Sequence, residues 1–131
     1  MLRSGRATTR ADGRQARGRA AELLAGELLA KSGYEIVARN VRLAGAEIDL
    51  VARDGSVIVF VEVRSRGNRR HGGPLETIGV RKQLRIARAA SAFLARHGLT
   101  AAPARFDVVG VDWQGGAGRC TLIRGAFESP L

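Results

Sequence analysis

The run Val57–Val63, VIVFVEV, constrains this chain more than any other stretch. A strand that is apolar on both of its alternating faces has to be covered on both, which puts it in the middle of a sheet. Val57, Val59, Val61 and Val63 line one face, and Ile58, Phe60, Glu62 and Arg64 the other, which turns charged at its C-terminal end. A second strand pattern precedes it in AEIDLVARDGSVIVFVEVRSR, residues 46 to 66, and Asp54-Gly55 between the two is a dipeptide favoured in hairpin turns. With that pair as the turn, Arg53 faces Ser56, Asp49 lies opposite Phe60 and Glu47 opposite Glu62. Asp49 and Glu62 become diagonal neighbours on one face. Like charges that close repel, so a cation between them is expected, and a hard divalent ion, Mg²⁺ or Mn²⁺, suits carboxylate oxygens.

The chain of 131 residues is long enough for one domain and too short for two. Residues 1–12 are basic and without periodicity, which reads as a disordered arm, and residues 13–131 as a single domain. Gly13 to Lys31 favours helix, with Leu23, Leu24, Leu28 and Leu29 as its apolar stripe and Gly33 as its stop. Tyr34 to Leu43 reads as a strand with Ile36, Val37 and Val41 inward. Arg66 to Pro74 reads as a mobile basic loop. Val80 to His97 reads as a second helix with Val80, Leu84, Ala87, Phe93 and Leu94 inward. Strands over Ala104–Trp113 and Arg119–Arg124 complete an α-β-β-β-α-β-β order, which implies an α/β fold with a central sheet flanked by helices.

Lys and Arg number 22 against 12 Asp and Glu, a formal charge of +10. Such an excess points to a polyanionic partner, most often nucleic acid, and Arg81, Lys82, Arg85 and Arg88 make one side of the second helix basic. Cys120 stands alone, so an intramolecular disulfide is excluded. No apolar segment is long enough for a signal peptide or a membrane span, and a cytoplasmic protein is expected. His71 and His97 are not spaced as ligands. Tyr34 and Trp113 lack the interleaved aromatics of a stacking platform and read as core or edge residues. Arg105 and Asp107 read as a structural ion pair.

An acidic residue on a first helix, then Asp, then Glu-x-Lys on the following strand is the pattern of the restriction-endonuclease-like, or PD-(D/E)XK, nucleases. The chain resembles them, and more closely the small bacterial YraN-like family of the UPF0102 type. The resemblance spans about Gly18 to Phe127 and is carried by GRAAELLAGELLAKSGYEIVARN, AEIDLVARDG, VFVEVRSR, the helix around Arg81-Lys82-Gln83, and RFDVV at 105 to 109. It implies a mixed central sheet and a divalent-metal-dependent endonuclease acting on DNA, including branched or repair intermediates. By the same resemblance Glu22, Asp49, Glu62 and Arg64 are the catalytic set, and Asp49, Glu62 and the backbone carbonyl of Val63 the metal ligands. Glu47 would act behind them, as a further carboxylate or in an ion pair with Arg64. Arg66, Arg69, Arg70, Lys82 and Arg85 would meet nucleic acid, and a homodimer would suit cutting of two strands.

Two departures stand out. Arg64 occupies the usual lysine place, and arginine stays protonated. Ala21 and Ala46 replace glycines usual before the acidic residues. The rival readings are a nucleic-acid-binding module with a silent site and a basic assembly protein with an acidic protein partner.

Overall fold

The computed structural model describes residues 10–67 and 78–131. Residues 1–9 of the arm expected over 1–12, and most of the basic loop with Arg69, Arg70 and His71, lie outside them. Seven elements follow in the expected order: α1 (Arg10–Lys31), β1 (Glu35–Leu43), β2 (Ala46–Asp54), β3 (Val57–Arg66), α2 (Val80–Arg96), β4 (Ala104–Gln114) and β5 (Ala117–Phe127). The strands form a mixed sheet in the order β1-β2-β3-β4-β5. Only β3 and β4 run parallel among these neighbours. A parallel pair cannot be closed by a tight turn, and α2 lies within the connection that links them.

The apolar run of β3 is central, as its two apolar faces require. Val59 and Val61 are buried against Ala21, Ala25 and Leu29 of α1, together with Leu50 and Ala52 of β2 and Val109 and Val111 of β4. Ile58 and Phe60 are buried on the opposite face against Ile86, Ala87, Ala89, Ala90 and Phe93 of α2. The sheet therefore separates two cores, one under each helix.

Several inward assignments shift. Leu23 is 62% exposed, while Ala21 and Ala25 are fully buried. Small side chains and the buried Gly26 let the α1 backbone lie near the sheet, so Leu24 and Leu28 are only partly buried, while Leu29 stays in the core. Val80 is 67% exposed at the first turn of α2, and Val37 is 46% exposed beside a bulge in the edge strand β1. α1 begins at Arg10, ahead of the expected Gly13.

The hairpin register moves by two. Asp54 pairs with Val57, Arg53 with Ile58 and Val51 with Phe60, so Gly55-Ser56 is the turn and not Asp54-Gly55. Gly55 has φ 63°, and it holds the first turn position, where a type II′ turn takes glycine. Asp54 stays in the strand, where its carboxylate accepts Arg105 at 3.0 Å. A shift of two keeps each side chain on its face, so the predicted facing survives over Leu50–Asp54, where the ladder is regular.

Candidate metal centre

Asp49 and Glu62 each lie one residue beyond Leu50↔Val61, the last pair of the β2–β3 ladder. The backbone ladder ends at Leu50↔Val61, and there the Asp49 side chain takes over: its Oδ2 accepts the Val63 N–H at 2.8 Å. Strand alternation breaks at this point. Val51 and Ile48, three apart on β2, both pack in the α2-side core, and Ala38 and Val41 do the same on β1. An odd interval on one face requires an irregular residue between. On β1 that residue is Asn40, with φ 49°, a left-handed conformation that asparagine tolerates better than most.

The irregular step gathers three acids from two elements. Glu22 comes from α1, one residue past the buried Ala21, and Glu47 and Asp49 come from β2. One carboxylate oxygen from each lies within 4.8 Å of the other two, so these three side chains form a group able to hold a metal ion. Asn40 Nδ2 donates to Glu22 Oε1 at 3.1 Å and to Glu47 Oε2 at 3.0 Å. Glu47 Oε1 also meets Arg42 at 3.5 Å.

Burial pushes the Asp49 carboxyl up to about 7. The negative charges of Glu62, Glu22 and Glu47 push the same way, against the Val63 N–H, which lowers it. A carboxyl under that pressure gains from a cation.

Glu62 is placed differently from the other acids. It is buried, and Lys82 of α2 reaches it at 2.6 Å. Lys82, expected at a phosphate, thus neutralises Glu62 in this structure, and Glu62 is not part of the three-carboxylate group. Val63 brings its peptide to the site through its N–H. Arg64 follows on β3 and is half-buried. Arg66 is paired with Asp112 of the adjoining strand at 3.1 Å. Arg85 is exposed.

Sequence reading missed Asn40 as part of the site. Its signal was an asparagine in the middle of a strand pattern, a residue type depleted in strands and prone to left-handed backbone.

The model of the uncharacterised protein family UPF0102 matches residues 21–111, a span that holds Glu22, Asp49, Glu62, Arg64 and Lys82. The chain is 52% identical over 113 residues to a UPF0102 protein of Symbiobacterium thermophilum, covering 86% of this chain and 96% of that one. It is 47% identical to a UPF0102 protein of Stutzerimonas stutzeri, over 88% and 97% of the two chains. Among solved structures it aligns with SfsA of Pyrococcus furiosus in complex with Ca²⁺ at 17% identity and TM-score 0.39. That alignment covers 85% of this chain and 62% of the other, and a likeness so distant carries nothing about the site.

Proposed function

The chain belongs to the uncharacterised protein family UPF0102, and on that premise we propose that it is a divalent-metal-dependent endonuclease of the PD-(D/E)XK kind. Its substrate on this reading is DNA, branched or repair intermediates included. The observation that carries the reading is the convergence of Glu22, Glu47 and Asp49 on one point.

The donors fit a hard cation. They are carboxylate oxygens, without a sulfur or imidazole in the group, which suits Mg²⁺ or Mn²⁺. Asp49, Glu22 and Glu47 would hold the ion, with Glu62 and the Val63 carbonyl as further oxygens once Lys82 turns from Glu62 to a phosphate. When bound, such an ion supplies polarisation of a phosphoryl oxygen and lowers the pKa of a water. The Arg64 guanidinium is a fork of donors without an acceptor, so its part would be to stabilise negative charge on the phosphate. The exposed Arg85, with Arg66, Arg69 and Arg70, would track the backbone of the nucleic acid.

One observation favours a second reading, a nucleic-acid-binding module with a silent site. Lys82 already satisfies Glu62 at 2.6 Å, and the neighbouring cation is an arginine. The two separate in one experiment: Mn²⁺-dependent cleavage of labelled duplex, single-stranded, flap and four-way-junction DNA by wild type and Asp49→Asn. Cleavage by wild type alone is the expected result. Salt-sensitive binding of the same DNA without cleavage would replace the endonuclease with the binding module.

A further inference from the structure

We infer that Asn40 is a positioning residue for the carboxylate group, an inference that rests on the metal-dependent reading above. Asn40 lies on β1, while the two acids it touches lie on α1 and β2, so its amide joins three elements at one point. An amide NH₂ has two hydrogens to give, and both are used, one on Glu22 and one on Glu47. The orientation of the amide follows from chemistry, because an ionised carboxylate only accepts. The donor is neutral. It draws the two carboxylates together beside Asp49 and leaves the charge of the group intact for a cation.

The backbone explains why this residue can do so. With regular strand geometry, residue 40 would share a face with Ala38 and residue 41 would turn away from the α2-side core. The left-handed step at φ 49° returns Val41 to that core and sends the Asn40 side chain toward α1, where Glu22 stands. Glycine would make the same step without a side chain. Backbone and amide roles are therefore separable by substitution.

The test is Mn²⁺ titration by calorimetry of wild type, Asn40→Gly and Asn40→Asp, with the metal-free melting temperature of each. Asn40→Gly keeps the left-handed step and is expected to melt at or above wild type while its Mn²⁺ affinity falls roughly 10- to 100-fold, the usual loss when a group orienting metal ligands is removed. Asn40→Asp keeps the shape, loses both donors and adds a fourth carboxylate, so its metal-free form is expected to melt below Asn40→Gly. Wild-type affinity in Asn40→Gly would reduce Asn40 to a backbone role and overturn the inference while leaving the metal reading intact. An unchanged metal-free melting temperature in Asn40→Asp would show that the amide does not donate, and would overturn it too. Absence of Mn²⁺ binding by wild type would overturn the metal reading itself, and this inference with it.

Discussion

Asp107 and Asp49 are carboxylates drawn from water on the same sheet, yet their surroundings are opposite. Asp107 is fully buried on β4 and accepts four hydrogen bonds: Tyr34 Oη at 2.7 Å, Arg105 Nε at 2.9 Å, Arg105 Nη2 at 3.1 Å and the Gly125 N–H at 2.9 Å. Those bonds match the lone pairs a carboxylate offers. Arg105 also donates to Tyr34 Oη and to Asp54, and these carboxylates hold its guanidinium charge firmly in place. Asp49 has one N–H for a partner, and the charges that act on it, those of Glu62, Glu22 and Glu47, share its sign. One cluster has its charges and hydrogen bonds closed within the protein. The other gathers three carboxylates into a group that could hold a metal ion.

The largest expected effect breaks the closed cluster. Asp107→Ala would leave Arg105, Tyr34 Oη and the Gly125 N–H without their acceptor in a buried place. Removing one partner of a buried ionic network costs about 3–5 kcal/mol. Urea unfolding should show that loss with or without Mn²⁺. A loss under 1 kcal/mol would mean that water replaces the carboxylate and that the cluster is not closed.

Next comes the cation. Anything that binds the folded state alone stabilises it by about 2.7 kcal/mol at a hundred times its dissociation constant. Mn²⁺ is expected to raise the melting temperature of wild type at pH 8 and to leave Asp49→Asn nearly unmoved. An equal rise in both would place the ion elsewhere.

Sequence legibility divides along the same line. The central strand could be read because VIVFVEV states its own burial on both faces, and the acids because charges interrupt strand patterns. The register could not, since both Asp54-Gly55 and Gly55-Ser56 suit a two-residue turn, and the Asp54 side chain meets Arg105, 51 residues away. Nor could the buried face of α1: apolar spacing marks Leu23 as readily as Ala21, and only the approach of helix to sheet decides between them. The site acids were legible by type, but their grouping was not. Glu47 joins Asp49 and Glu22, and Glu62 turns to Lys82, through a break in strand alternation at Asn40 that periodicity conceals.

A smaller effect concerns the open cluster without metal. The Asp49 carboxyl is raised in the fold from 3.8 to about 7, so between those values the folded state binds more protons than the unfolded chain. Stability from this group is therefore fully present below about pH 4 and is lost as pH rises toward 7. Asp49→Asn, which can still accept the Val63 N–H, is expected to stabilise the metal-free protein at pH 8 by roughly 2 kcal/mol, less near pH 5. Unfolding curves at the two pH values check the sign. Destabilisation at pH 8 would show that the ionised carboxylate is already paired, and the contrast with Asp107 would fail.

The smallest effect sharpens the comparison from the closed side. Tyr34→Phe removes one of four bonds to Asp107 but leaves Arg105 and the Gly125 N–H in place. The carboxylate stays neutralised, and Arg105 loses the hydroxyl as an acceptor but keeps Asp107 and Asp54. The cost should be that of two modest hydrogen bonds, about 1–2 kcal/mol. The ring itself is buried and lies 5.7 Å and 5.5 Å from the Arg105 and Arg124 guanidinium carbons, contacts that phenylalanine keeps. Mn²⁺ affinity should not change, because the hydroxyl stands in the other cluster. A cost near that of Asp107→Ala would mean that the hydroxyl, rather than the arginine, holds the cluster shut. A changed Mn²⁺ affinity would mean that the two clusters are coupled through β2, which carries both Asp54 and Asp49.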